Sequence, residues 1–288
     1  MKKVLITGAS SYVGNSFKQW VSDNYSSKIE VESVGTRSGE WKQLSFEGYD
    51  VVLHVAAVVH VSMKKNMKKL YYQVNTDLTE KIAKKAKKEG VRQFVFMSSM
   101  SVYGDASNLK LITHMTNPNP ANYYGMSKLQ AEKRLALLED DSFIVACIRP
   151  PMIYGKGAIG NYVKLAKLAR KIPFFPNYKN QRSMIHIDNL CEFLTLVILH
   201  RYQGTFHPQN SEYVCTSDLV STIGKVHDNR VRKIKIFNPL IKLVVNRHIT
   251  INKLFSDFAY SKELSTYQHE YIVRDFKESI VLTEQDKE

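Results

Sequence analysis

Cysteine is scarce: three residues in 288, Cys147, Cys191 and Cys215, far apart and never as CxxC. That spacing offers neither a disulfide framework nor a thiolate metal site, and it reads as free thiols buried in a reducing cytoplasm. The histidines, His186 included, show no HExxH or similar ligand spacing, so no metal is expected. Long apolar runs are missing too. The longest, VVLHVAAVV (51–59) and FLTLVIL (193–199), are too short to span a bilayer. The opening MKKVLITGA carries two lysines, but its apolar run is brief and meets a glycine, so it reads as a first strand and not as a secretory signal. No linker, low-complexity tract or internal repeat interrupts the chain.

Acidic side chains are in deficit, 27 against 41 Lys and Arg, for a formal charge of +14. A surface for nucleic acid or an anionic membrane is one meaning of such a surplus. The lysines of KKNMKKL and KIAKKAKKEG (64–90) argue for another. They interleave with Leu78, Ile82, Ala83 and Ala86 at helical spacing, the pattern of an amphipathic helix with a solvated basic face. The expectation is therefore no nucleic-acid partner and no membrane insertion, with a net potential that attracts a doubly anionic small molecule. At 44% hydrophobic residues the chain can bury a substantial core, as one large or two intimately joined domains.

What is present is an alternation. KVLIT (3–7), KIEVESVG (28–35), YDVVLHVAA (49–57), RQFVFMSS (92–99) and FIVACIRP (143–150) read as strands. Helical spacing fills the gaps at 10–25, around 67–88, and in NYYGMSKLQAEKRL after a loop rich in Asn and Pro (107–121). Strands alternating with helices imply βαβ units and a parallel sheet covered on both faces, hence an α/β, doubly wound fold. After Gly155 the pattern becomes irregular: a glycine-rich loop, a lysine-rich helix at 161–171, a Pro-containing turn, and an apolar helix at 188–200 that packs back on the sheet. The apolar LIKLVV (240–245) is expected in the core or at a subunit interface, with a homodimer left open.

Between the first strand and first helix lies Thr7-Gly8-Ala9-Ser10-Ser11-Tyr12-Val13-Gly14. Gly8 permits a tight turn and Gly14 a close helix–sheet approach, so that the helix N-terminus can receive a pyrophosphate through backbone N–H groups. Ser11 stands where a third glycine would bring the phosphates closest; its hydroxymethyl must point aside, or the cofactor sits further out. The end of the second strand reads Val34-Gly35-Thr36-Arg37-Ser38, with no acid at its tip and Glu30 and Glu32 too early. Arg37 suits a ribose 2′-phosphate, which favours NADP(H) over NAD(H).

Tyr124 and Lys128 are four apart, on one face of a helix, with Ser98–Ser99 one strand upstream. A lysine charge there is expected to lower the phenol pKa and make tyrosine a usable proton donor or acceptor. Beside a dinucleotide turn this reads as hydride chemistry at a carbonyl or alcohol carbon.

With these motifs the chain resembles the extended short-chain dehydrogenase/reductase family of nucleotide-sugar epimerases, dehydratases and reductases. TGASSYVG, HVAA (54–57), VNTDLT (74–79), SSMSVYG (98–104), YGMSK, RPPMIYG (149–155) and RSMIHIDNL (182–190) carry the resemblance in order over nearly the whole length. It implies a Rossmann domain, residues 1–156 and 187–202, and a smaller mixed α/β substrate-binding lobe, residues 157–186 and 203–288. By position, Tyr124 becomes the proton donor or acceptor, Lys128 holds the nicotinamide ribose, and Ser99 (rather than Ser98) bonds the reacting oxygen. Cofactor contacts fall on Gly8, Ser10, Ser11, Tyr12, Val13, Gly14, Arg37, Ala56, Ala57, Asn75, Tyr124, Lys128 and Pro150. Substrate contacts fall on Ser99, Met152, Asn161 and Arg182, the last two against the nucleotide diphosphate.

Family dehydratases carry Asp-Glu directly after the Ser/Thr; Met100 and Ser101 stand here and cannot eliminate water. RPPMIYG, NQRS and HPQ are similar to bacterial capsule-synthesis enzymes that reduce UDP-4-keto-6-deoxy-N-acetylhexosamines, and an asparagine that epimerases generally have near Met152 is absent. The resemblance thus implies an NADPH-dependent 4-ketoreductase for a surface polysaccharide. An NAD-dependent nucleotide-sugar 4-epimerase and a non-catalytic NADP(H)-binding protein are the alternatives.

Overall fold

A computed structural model describes residues 1–59, 67–106, 110–245 and 247–285. Lys64 and Lys65 of the expected basic helix face, and the start of the loop at 107–121, lie outside them. β1 (Lys2–Thr7) leads through α1 (Tyr12–Asn24) to β2 (Ile29–Val34), and β3 (Val51–His54), α2 (Lys68–Tyr72), α3 (Leu78–Lys88) and β4 (Gln93–Met97) follow. Next come β5 (Leu111–Ile112), α4 (Tyr123–Ala136), β6 (Ile144–Ile148), β7 (Met152–Tyr154), α5 (Asn161–Ala169), β8 (Phe174–Pro176) and β9 (Met184–His186). The remaining elements are α6 (Ile187–Leu199), β10 (Gly204–Phe206), α7 (Thr216–Val226), β11 (Arg232–Ile234), α8 (Asn238–Val244), α9 (Ile249–Phe255), β12 (Ala259–Tyr260) and α10 (Phe276–Glu284).

Six strands form one parallel sheet in the order β10-β6-β4-β3-β1-β2. Side-chain alternation explains why its strands read as unbroken apolar runs. Val4, Ile6, Leu53, Val95 and Ile148 enter a core closed by α1 and α6, with Phe17, Val21, Leu190 and Leu194. Leu5, Val52, Phe94, Phe96 and Cys147 enter the opposite core, closed by Ile82, Ala83 and Ala86 of α3 and Ala131 and Leu135 of α4. A strand buried on both faces has no polar position to alternate with. The doubly wound, Rossmann-like architecture read from the alternation is the one observed.

A third core gathers α5, α7, α8 and α10 around Tyr154, Met184, Val220 and Ile280. Gly204–Phe206, assigned above to the substrate lobe, instead pairs with Ala146–Ile148 as the sixth strand. Tyr271, from the same stretch, is buried in the first core. The reason is that α6 leaves its C-terminus at the open sheet edge, and three residues of extended chain satisfy that edge.

The helix expected at 67–88 is broken by a wide turn at Gln73–Asp77. There the Asn75 side chain accepts from Val58 N–H at 2.8 Å and donates to the Val58 carbonyl at 3.1 Å and to Ser127 Oγ at 3.0 Å. Thr76 Oγ1 donates to the Ser127 carbonyl at 2.8 Å. Widened helical turns of this kind recur where a side chain is needed out of helical register. LIKLVV is only half core: Ile241 and Val245 are buried, whereas Leu240 and Leu243 face outward.

His54 is fully buried in β3, with Nδ1 at 2.7 Å from Thr7 Oγ1 and Nε2 at 3.0 Å from Thr79 Oγ1. Burial, helped by the Lys128 charge, pushes its pKa down to about 3. An unfolded histidine takes a proton near pH 6.5, so the unfolded state binds more protons below that value and stability falls as the pH drops toward the folded pKa. We expect a loss of up to about 1.4 kcal/mol per pH unit from this residue. Thermal unfolding measured between neutral pH and roughly pH 5 should show a shallower decline in His54→Gln than in the parent; parallel curves would contradict it.

Candidate active site

The strand order reverses between β1 and β3, and ligands of open α/β sheets bind in the crevice beyond the carboxyl ends at such a point. Gly8 makes that crevice. At φ +114° it crosses β3 so closely that a Cβ would come within 2.8 Å of the Ala56 backbone nitrogen. Gly14 is buried one helical turn into α1, where a Cβ would meet Ile6 and Val55 at 3.0 and 3.2 Å. Ser11 caps α1, its Oγ accepting a long 3.4 Å bond from Gly14 N–H. Its side chain therefore turns back over the helix end. Ser10 is exposed and Tyr12 and Val13 are half-buried against the first core. A glycine crossing that leaves no room for a side chain, next to a free helix N-terminus, fits the pyrophosphate of a dinucleotide.

At the tip of β2, Arg37 is exposed and makes no ion pair among the described residues. A second group is there as well. A Glu40 carboxylate oxygen lies 2.9 Å from where a Cβ on Gly35 would sit. Reading the strand tip alone missed this acid, because a one-turn helix at Glu40–Lys42 folds it back over β2.

The candidate residues Ser99, Tyr124 and Lys128 lie just past β4 and on α4. Ser99 caps a short 3₁₀ turn, Met100–Tyr103, its Oγ accepting from Ser101 N–H at 3.1 Å, and its hydroxyl lies close enough to the Tyr124 phenol to influence its pKa. Pro150, buried after β6, accepts from Met100 N–H at 2.9 Å and fixes that turn. Gly125 makes the approach of α4 feasible. A Cβ there would lie 2.3 Å from the Ser101 carbonyl oxygen, so only glycine lets α4 close on the serine turn. A glycine inside a helical pattern is the signal that could have revealed it.

Lys128 is buried, its Nζ donating to the Met97 carbonyl at 2.6 Å and lying 4.6 Å over the Phe96 ring. The expected depression of the phenol pKa is not found. Burial raises Tyr124 to about 12, opposed by the nearby Ser99 hydroxyl and aided by Tyr71, with no contribution from Lys128. Burial also pulls Lys128 down to about 7, against the attraction of Glu132. Both shifts have one physical origin, a poorly solvated site that penalises phenolate and ammonium alike.

Behind this group is a network that the sequence reading missed. Glu132, one turn beyond Lys128, pairs with Arg149 through Nε at 3.0 Å and Nη2 at 2.6 Å, both residues buried. Ser98 Oγ donates to the same carboxylate, so the neighbouring serine faces away from Tyr124. Arg149 Nη1 donates to Tyr103 Oη at 2.6 Å, and Tyr103 Oη lies 2.8 Å from His207 Nε2.

Among the described residues, no hydrogen bond or ion pair ties Met152, Asn161 or Arg182 to Ser99, Tyr124 and Lys128. Met152 opens β7, half-buried against the third core. Asn161 is exposed as the first residue of α5, behind a Gly160 cap. Arg182 Nη1 donates to the Ser256 carbonyl at 3.0 Å, and burial pulls its pKa down to about 10. Among the described residues no carboxylate forms an ion pair with it, Asp257 acting on it through charge alone, and a guanidinium so placed is disposed toward an anion.

Fold and site define a dinucleotide-binding α/β protein with a Ser–Tyr–Lys group at the carboxyl edge of its sheet. Residues 4–208 match the sequence profile of the NAD dependent epimerase/dehydratase family, and the chain belongs to that family. It is 34% identical over 221 residues to a UDP-glucose 4-epimerase of Vibrio cholerae, covering 69% of this chain and 67% of the relative. It is 28% identical over 211 residues to an N-acetyl-α-D-glucosaminyl-diphospho-ditrans,octacis-undecaprenol 4-epimerase of Escherichia coli O157:H7, covering 66% of this chain and 61% of the relative. The aligned stretch thus spans about two thirds of these curated relatives. Among solved structures, a dTDP-4-dehydrorhamnose reductase from Clostridium acetobutylicum superposes with a TM-score of 0.75 at 18% identity over 98% of both chains. A UDP-N-acetylglucosamine 4-epimerase from Bacillus cereus gives 0.67 at 15% identity over 99% of this chain and 98% of the other. At those identities the superpositions establish the fold alone.

Removing one partner of the Glu132–Arg149 pair strands a buried charge. Glu132→Gln should cost about 3–5 kcal/mol in chemical denaturation. The double variant Glu132→Met/Arg149→Leu should lose less than the two single changes summed; additive losses would contradict a coupled pair.

Proposed function

We propose that this chain is a nucleotide-sugar oxidoreductase that reduces the C4 ketone of a UDP-4-keto-6-deoxy-N-acetylhexosamine with NADPH, for a surface polysaccharide. The observation that carries the reading is the Tyr124 phenol, held protonated by burial and placed near the Ser99 hydroxyl. A protonated, positioned phenol is an acid, which is what a ketone gaining hydride requires.

In this reading the turn from Gly8 to Gly14 holds the pyrophosphate, with Ala56, Ala57, Asn75 and Pro150 lining the crevice and Lys128 holding the nicotinamide ribose. The dinucleotide, when bound, supplies the hydride. As charge grows on the C4 oxygen, Tyr124 donates its proton and Ser99 gives a second hydrogen bond. Lys128, protonated beside Glu132, stabilises the phenolate left behind. Arg182 and Asn161 take the substrate diphosphate. Met100 and Ser101 offer no acid and base for elimination, which leaves dehydration aside.

A second reading, an NAD-dependent nucleotide-sugar 4-epimerase, draws on the relative from Vibrio cholerae and on Glu40 beside Gly35. A carboxylate there can take a ribose 2′-hydroxyl, as Arg37 can take a 2′-phosphate.

Incubation with the UDP-4-keto sugar, followed by loss of reduced-nicotinamide absorbance, separates them. The reductase consumes NADPH in proportion to sugar; the epimerase carries tightly held NAD⁺ through purification and interconverts C4 epimers without added reductant. Tyr124→Phe should lower turnover by about 10²–10⁴-fold; an unchanged rate in folded variant protein would defeat the assignment. Arg37→Ala should weaken NADPH at least about tenfold and spare NADH, measured by fluorescence titration. Equal weakening of both would remove Arg37 from the site.

A further inference from the structure

Residues 229–256 carry seven Lys and Arg and no Asp or Glu, half of the chain's formal surplus in one short stretch. Only Lys233 of these forms an ion pair among the described residues, with Asp218 at 2.5 Å. Within the same stretch α8 is apolar on two sides. Ile241 and Val245 point into the third core. On its outer side Leu240 and Leu243, three apart, are 60% and 63% exposed, and Ile236 and Phe237, in the turn just before α8, are 78% and 46% exposed. Lys235 and Lys242 flank the stripe, exposed, and Arg247 follows it. A cleft of about 540 Å³ lined by Ser221, Lys225, Arg230, Val231 and Arg232 brings three of the chain's cations together between α7 and β11.

We propose that the α8 stripe with its basic rim is a docking face for an anionic phospholipid surface, the apolar side chains entering the headgroup–acyl boundary and the cations holding lipid phosphates. Apolar centre, cationic border and a basic cleft are what a helix lying in a membrane interface needs. A second copy of this chain is disfavoured as occupant, since a two-fold contact would set Lys235, Lys242 and Arg247 of one copy against the same cations of the other. Nucleic acid is disfavoured by the four exposed aliphatic and aromatic side chains, which a phosphate backbone does not match. No helix among the described residues is long and apolar enough to cross a membrane, so the contact is peripheral. It is independent of the hydride chemistry and is read without substrate.

The test is co-sedimentation of the full chain with phosphatidylcholine vesicles and with vesicles of phosphatidylglycerol and phosphatidylcholine in equal parts. Binding is expected to the anionic vesicles alone and to fade at high salt. Lys235→Gln/Lys242→Gln should weaken it by at least about tenfold, at roughly fivefold per cation. Leu240→Gln/Leu243→Gln should abolish it with an unchanged circular dichroism spectrum; Leu243→Gln alone serves if that double change unfolds. Pelleting equal on both vesicle types, none on either, or none of these variants altering it, overturns the proposal. Self-association in ultracentrifugation that the leucine variant removes, without vesicle binding, assigns the stripe to a second copy and overturns it as well.

Discussion

The site depends on one buried ion pair. Glu132 comes from α4 and Arg149 from just past β6, and their buried pair joins the helix to the sheet beside the bond from Lys128 to the Met97 carbonyl. Taking both charges out of water is costly, and a carboxylate satisfied only by the guanidinium would not offset it. Here Ser98 donates to the carboxylate, Tyr103 accepts from the guanidinium, and Tyr260 Oη donates to the Arg149 carbonyl at 2.8 Å. The pair thereby reaches His207 and Tyr260, residues far along the chain, and couples the catalytic helix to the second half of the molecule. Because α4 is a rigid rod, fixing Glu132 also fixes Lys128 one turn back and Tyr124 two turns back.

Much of this was legible in the chain. Parallel strands buried on both faces leave continuous apolar runs, so β1, β3, β4 and β6 could be read directly, and the glycine turn and the Tyr–Lys spacing announced themselves by residue type. What stayed hidden depends on distant partners. Glu132 looks like any exposed glutamate on an amphipathic helix until Arg149, seventeen residues away, is brought to it. Glu40 is five residues past Gly35 and counts as a strand-tip acid only after a one-turn helix folds it back. The wide turn at Asn75 follows from a bond to Val58, which no local propensity encodes. β10 is three residues long, too short for periodicity, and exists because an edge was open.

Tyr124 and Lys128 were expected to help each other through charge. The structure gives them a common environment instead. Burial pushes the phenol toward about 12 and the ammonium toward about 7, so the same low polarity moves both groups toward neutrality. For the proton donor proposed here this is an advantage: the phenol keeps its proton at neutral pH, and in the proposed reaction the work of stabilising phenolate falls in the transition state. Lys128 then matters through its difference in energy between the two states of the tyrosine, which is where transition-state stabilisation lies.

Lys128 sits at the balance point. Its ammonium is retained near neutrality by three groups supplied by the fold: the Met97 carbonyl, the face of Phe96 and the negative charge of Glu132. Glu132 is itself shared, since Arg149 claims both of its oxygens. Burial is what holds Lys128 below the ordinary lysine range, and the charge of Glu132, shared with Arg149, offsets it only in part. The ion pair that positions the helix therefore also sets how much charge its lysine can hold, so geometry and electrostatics at this site cannot be altered separately.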